Sequence, residues 1–259
     1  MSLVFSAITP NSPILIPSIG KDDLKYAKKT INALTTLEEE LYAARPQTII
    51  LLSGHKKILN TAFSINLTPV YKGSFKNFGD FSENKNYLCD TAMCHHIKEV
   101  LEGRIPINLF SDEELDYETA APLFHLTQNI NNFSIVPISF SSLDATSHFN
   151  FGQNLKEIIF TETKRIAVIA AGDFTHSLQK KSSRNSSFDK NLITCLKGKN
   201  IKDIIRIDHN EIFNAQAENA YFPLLILLGI LEETNYEFNL LSYEFPFEVG
   251  LMTANFKLF

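Results

Sequence analysis

Apolar residues along this chain arrive in two rhythms. Short continuous apolar runs mark strands covered on both faces, and three- or four-residue spacing marks helices. The runs fall at Leu3–Ile8, Thr48–Leu52, Phe63–Leu67, Ile105–Phe110, Phe133–Ser139 and Ile166–Ala171, with Tyr236–Glu244 and Val249–Phe256 closing the chain. Helical spacing is clearest over Lys21–Ala44, where Leu24, Ala27, Ile31, Leu34, Leu37 and Leu41 make one stripe and Asp22 or Asp23 can cap the start. Further helices are predicted over Tyr87–Leu101, Glu118–Gln128, Phe149–Phe160 and Phe188–Leu196, and over a long region from His209 to Glu233 interrupted near Pro223. Strands alternating with helices predict an α/β fold: a single domain over residues 1–259, its central mixed β-sheet flanked by helices on both faces. No linker, low-complexity tract or internal repeat divides the chain.

Composition narrows the partners. With 44% hydrophobic residues, 21 Phe and no Trp, the 259 residues have ample material for a core. A net charge of −5 argues against a nucleic-acid partner, since affinity for phosphate backbones needs clustered Lys and Arg. The one basic cluster, Lys180-Lys181-Ser182-Ser183-Arg184, is short and reads as a solvated loop. Met1 to Pro10 reads as a strand without the basic start of a secretory signal. The longest apolar run, Tyr221 to Leu231, contains Pro223 and falls short of the ~20 residues that span a bilayer. A soluble, cytoplasmic protein with no membrane partner is the expectation, and three cysteines without framework spacing agree with a reducing compartment. The run Cys89 to His96 carries zinc-type ligands, but on a helix over Tyr87–Leu101 the two cysteines would stand about 140° apart and share no metal.

Two segments concentrate chemistry. The run Ile166–Ala171 delivers Gly172-Asp173-Phe174-Thr175-His176, and Thr48–Leu52 delivers Ser53-Gly54-His55. Both layouts put an imidazole just past a strand's carboxyl end, where open α/β sheets bind ligands. A satisfied core histidine is the alternative for either one. Glu218 stands among Ala215, Ala217 and Ala220 ahead of a strongly apolar segment, so its carboxylate is expected to point inward. There it needs a cation, a hydrogen-bond network or a metal, an Arg or Lys partner being the plain alternative.

The order of these features, with Ile8-Thr9-Pro10-Asn11-Ser12-Pro13 at the start and Ser242-Tyr243-Glu244-Phe245-Pro246-Phe247 near the end, resembles the LigB-like superfamily of class III extradiol ring-cleavage dioxygenases. Memo-like proteins belong to it too. The resemblance spans nearly the whole chain and implies a single α/β domain. It also implies a non-haem Fe(II) held by two histidines and a glutamate, with open positions for catechol oxygens and dioxygen. Carried over by position, His55 matches the second histidine ligand and Glu218 the carboxylate. His176 matches the histidine that acts as acid–base. Two positions depart from the pattern. Asn11 stands where the first histidine ligand belongs, so the implied metal set is His55, Glu218 and Asn11. Tyr117, in Asp116-Tyr117-Glu118, stands where many members have the histidine of Asp-His-Gly. Tyr117 can still donate a hydrogen bond, but its ordinary pKa near 10 makes it a poor base. His125 lies about two helical turns further on and is no ready substitute.

Three readings stay open: an Fe(II)-dependent extradiol dioxygenase acting on a catechol-like small molecule, a non-catalytic module binding a small molecule or protein, and a regulatory chain paired with a second subunit or its own copy. The position of Asn11 yields a direct expectation. Asn11→His should raise ferrous affinity in an anaerobic titration, and a variant binding no more iron than the wild type would show that the first turn is matched wrongly.

Overall fold

The computed structural model describes residues 2–54, 58–82, 85–176 and 185–259. His55 and the cluster Lys180 to Arg184 lie outside the described residues. The chain begins with β1 (Leu3–Thr9), a short helix α1 (Pro17–Gly20) and a long one α2 (Lys28–Ala44), then β2 (Thr48–Ser53), β3 (Phe63–Asn66), β4 (Val70–Gly73) and β5 (Lys85–Cys89). It continues through α3 (Thr91–Leu101), β6 (Ile107–Phe110), β7 (Glu114–Leu115), α4 (Tyr117–Leu126), β8 (Ser134–Ser139), α5 (Ala145–Thr161) and β9 (Ile166–Ala171). Helices α6 (Asn185–Lys197), α7 (Ile201–Ile205), α8 (His209–Ala215) and α9 (Glu218–Leu231) precede the terminal hairpin of β10 (Tyr236–Glu244) and β11 (Leu251–Leu258).

All the strands join one mixed sheet in the order β10-β11-β1-β9-β2-β8-β5-β4-β7, with β3 paired to β8 and carrying β6. The centre, β1-β9-β2-β8, is parallel. Its strands are buried on both faces, as their unbroken apolar runs required. Alternate residues feed two cores. Ile50, Leu52, Val136, Val168 and Ala170 face α3, α5 and α9, while Ile49, Leu51, Ile135, Ala167 and Ile169 face α2 and α4. The α/β expectation with helices on both faces therefore holds. Among the described residues, no helix is long and apolar enough to cross a membrane.

Three local expectations are corrected. The helix over Tyr87–Leu101 is a strand and a helix, because Asp90 breaks the run and its side chain caps α3 by accepting from the Met93 N–H at 3.1 Å. Cys89 therefore sits on a strand, and the angular argument that separated it from Cys94 does not apply. The long helical region from His209 is not broken at Pro223, which lies inside α9. The break is at Gln216, in the left-handed conformation at φ 53°. Lys21–Ala44 opens as a 3₁₀ segment over Lys21–Ala27 before it becomes α-helical.

Helix α9 is apolar all round, with every residue from Ala220 to Leu231 buried, and it crosses α5 at backbone contact. A Cβ on Gly229 would stand 2.2 Å from the Phe149 carbonyl oxygen, and one on Gly152 2.1 Å from that of Ile226. Only paired glycines permit this approach. Gly229→Ala is expected to destabilise the fold by roughly 1–3 kcal/mol in urea unfolding, since backbone on both sides must give way. An unchanged midpoint would show that the helices can separate freely.

Candidate functional site

The four central strands end side by side, with Thr9 paired to Ala171, Leu52 to Ala170 and Ser53 to Ser139. Their following turns form one crevice. From β1 comes Asn11, which is 3% exposed and donates its backbone N–H to Asp173 Oδ1 at 3.0 Å. Its side-chain Nδ2 is buried with no hydrogen-bond partner among the described residues. From β9 comes Asp173 itself, held by Asn11 and Ser12, yet burial outweighs those donors and pushes its carboxyl up to about 6.

The turn continues to His176, which is half-buried and donates its backbone N–H to the Ala215 carbonyl at 2.8 Å. It also bridges Val249 in an antiparallel contact. Burial lowers the imidazole pKa, and the Glu218 carboxylate opposes that shift. Glu218 is half-buried rather than enclosed, and it opens α9 after the cap residue Ala217. The structure thus sets His176 and Glu218 in electrostatic contact.

The crevice contains an acid that the sequence did not single out. Glu118, in the first turn of α4, accepts from the Tyr117 hydroxyl and from Asn219 Nδ2, each at 3.3 Å from Oε1. Its Oε2 is buried and has no partner among the described residues. That oxygen stands 2.1 Å from where a Cβ on Gly54 would sit, so a side chain there would push the carboxylate aside. Burial above all, then the charges of Asp116 and Asp173, push Glu118 up to about 7. Tyr117 is 36% exposed and stands edge-on to Phe78 with ring centroids 5.3 Å apart. Burial and the adjacent Glu118 push its phenol up to about 12. Phe78, Asp116 and Tyr117 line a cavity of about 150 Å³ with Leu115 and Asn77. The stretch from Tyr71 to Asn86 includes the end of β4, a 3₁₀ turn and the start of β5, and it carries Phe78 to this rim.

A second layer holds the turns in place. Asp189 of α6 accepts from the Thr175 hydroxyl at 2.7 Å and from its N–H, while Tyr243 donates to the other oxygen at 2.7 Å. Glu244 accepts from the N–H and hydroxyl of Thr30 at 2.7 and 2.9 Å, fixing α2. The Ser242 to Phe247 segment thus supports rather than reacts. Asp189 carried no sequence signal, since its partners lie on other elements. Gly172 meets the backbone of α9, its absent Cβ falling 2.1 Å from the Asn219 carbonyl oxygen. Pro223 has no N–H to offer that carbonyl, so the proline and the glycine mark the same contact.

His125 and His148 are outside this constellation. Burial pushes both imidazoles down to about 4. His148 is a satisfied core histidine, with Nδ1 2.8 Å from the Asp144 carbonyl, Nε2 accepting from the Ser141 N–H, and its ring stacked on Phe222.

Among the described residues, no three His, Cys, Asp or Glu side chains are grouped to hold a metal. Of the set suggested by the sequence, Asn11 and Glu218 lie on the crevice wall, and His55 follows Gly54 outside the described residues. The buried Nδ2 of Asn11, without a partner among the described residues, fits a ligand role if the amide oxygen is turned to its place, since amide oxygen and nitrogen are assigned by their surroundings. One imidazole, one carboxylate and one amide form a fitting but weak donor set for Fe(II).

Comparison with known proteins agrees with this architecture. The family described as the catalytic LigB subunit of aromatic ring-opening dioxygenase matches residues 6–254. The Clostridium acetobutylicum protein CA_C1420 is 25% identical over an alignment of 274 positions, which covers the whole chain and 58% of that relative. The chain thus spans somewhat over half the length of that relative. A crystal structure of an uncharacterized Escherichia coli K12 protein, JW3007, superposes with a TM-score of 0.68 at 17% identity, covering 97% of this chain and 99% of that one. It is a likeness in fold.

Glu118 offers a test by linkage. Its folded pKa near 7 lies above the ordinary 4.5, so the folded chain holds the extra proton between those values. Its contribution to stability therefore falls as pH rises from about 4.5 to 7. Glu118→Gln removes that dependence. In urea unfolding, the variant should gain stability relative to wild type between roughly pH 5 and 7.5. A difference independent of pH would mean that the carboxyl titrates normally.

Proposed function

The chain belongs to the LigB family of aromatic ring-opening dioxygenase catalytic subunits, and on that premise we propose that its strand-end crevice takes a catechol-type aromatic molecule and manages its protons with Glu118 and His176. The observation that carries this reading is Glu118 Oε2, a buried acid oxygen without a partner among the described residues, at the carboxyl ends of the parallel strands. A group titrating near 7 is suited to give or take a proton at neutral pH. Tyr117 keeps its proton, donates to Glu118 and presents its ring beside Phe78, an aromatic edge against which a planar ligand can rest. His176, kept neutral by burial, is available as a second proton acceptor, with Glu218 positioned to stabilise its charged form.

Ferrous ion, when bound, would supply the open coordination positions and electrons that ring opening by dioxygen requires; His55, Glu218 and the Asn11 amide oxygen would hold it. An amide in place of an imidazole weakens that hold, so ring opening is expected to need more iron than in members with two histidine ligands. Asn11 also favours a second reading, a binding module that keeps the aromatic site without the oxidation.

Anaerobic ferrous titration with metal analysis, followed by oxygen uptake over a catechol panel, separates the two. Saturable iron with catechol-dependent oxygen uptake supports the dioxygenase. Catechol binding without iron or uptake supports the module, and neither iron nor catechol binding overturns both. His55→Ala and Glu218→Ala should be strongly non-additive in iron retention, as ligands of one ion are. Additive losses would remove them from a common site.

A further inference from the structure

Away from the crevice, the end of β5 and the start of α3 bring two thiols together. Cys89 Sγ and Cys94 Sγ are 3.7 Å apart, in van der Waals contact. Cys89 is partly exposed and Cys94 is fully buried. Their backbones are fixed: the Cys89 N–H donates to the Pro69 carbonyl, and the Cys94 N–H to that of Asp90. Asp90 between them is tied to Thr48 at 2.6 Å and to Lys164 at 2.8 Å. The fully buried Tyr71 directs its hydroxyl at Cys89 Sγ from 3.1 Å, while also lying 2.6 Å from the Asn66 carbonyl.

We propose that Cys89 and Cys94 form a redox-active dithiol that hydrogen peroxide converts to a disulfide, with Cys89 reacting first and Cys94 resolving it. The Cys89 thiolate attacks one peroxide oxygen, the O–O bond breaks, and the departing hydroxide takes a proton to become water. Cys89 is left as a sulfenic acid. The Cys94 sulfur then attacks Cys89 Sγ, the S–S bond forms, the S–O bond breaks, and the Cys94 proton leaves in a second water. Both sulfurs are oxidised, and one peroxide is reduced to two waters.

The surroundings assign these roles. The donating Cys94 thiol, opposed by burial and helped by Tyr71, brings Cys89 down to about 7, with Asp90 opposing. Cys94 is pushed the other way by Cys89 and by burial, so it keeps its proton until the sulfenic acid forms beside it. Cys195, the third cysteine, is also free and partly exposed, and serves as the reference thiol in the same molecule.

The test is peroxide treatment of the purified chain at neutral pH, alkylation, trypsin digestion and mass spectrometry. Cys89 and Cys94 fall in one tryptic peptide, residues 86–98. That peptide is expected to become lighter by two hydrogens and to resist alkylation until reduced, roughly tenfold faster than Cys195 is oxidised. In Cys94→Ala the reaction should stop at a Cys89 sulfenic acid that dimedone captures. Oxidation of Cys195 at an equal or greater rate overturns the proposal. So does wild-type Cys89 advancing to sulfinic acid while Cys94 stays alkylatable. The wild-type measurement is decisive even where the variant folds poorly.

Discussion

The level register of four parallel strands is the constraint on which the site depends. Because β1, β9, β2 and β8 are hydrogen-bonded side by side, the turns after Thr9, Ala171 and Ser53 emerge at one rim. Asn11 can then bond Asp173, and Gly54 can lie over Glu118, although these residues are far apart in sequence. Slipping one strand by a residue would exchange its two faces and carry its turn away from the others. The apolar cores on both sides of the sheet therefore fix the chemistry's coordinates as well as the fold.

Helix α9 is the second fixed reference. It lies against α5 and the sheet at backbone distance, through Gly152, Gly229 and Gly172. Its first turn consequently cannot shift far, and that turn carries Glu218 beside His176 and Asn219 against Glu118. Asp189, Tyr243 and Gly250 hold the opposite side of the β9 turn. The crevice thus has rigid walls made by packing and small-residue contacts, rather than by the polar groups that line it.

Much of this was legible in the chain, and the failures have physical causes. Continuous apolar runs located the central strands closely, Ile166–Ala171 to the residue, because a strand buried on both faces leaves no other composition. The outer strands β4, β5 and β7 escape such a reading: they are short, half-exposed and rich in polar residues, so neither rhythm dominates. Tyr87 to Leu101 reads as one helix because the apolar positions of a strand and a helix happen to join across Asp90. Pro223 suggests a break, yet the chain breaks at Gln216, whose left-handed backbone has no glycine to announce it. The turn residues Asn11, Gly172 to His176 and Tyr117 stand out as strand-end chemistry. Glu118 does not, since the burial that sets its character comes from elements remote in sequence, Gly54 and Asn219 among them, with its neighbours Asp116 and Tyr117 acting second.

The crowding of acids at this rim has a consequence for whatever enters it. Burial raises the carboxyls of Glu118 and Asp173, to about 7 and about 6, and the charges of Asp116 and Asp173 add to the shift at Glu118. A positive charge arriving there would favour the ionised carboxylates over the protonated ones. Binding of a cation there would therefore release protons, and its affinity would climb with pH through the neutral range.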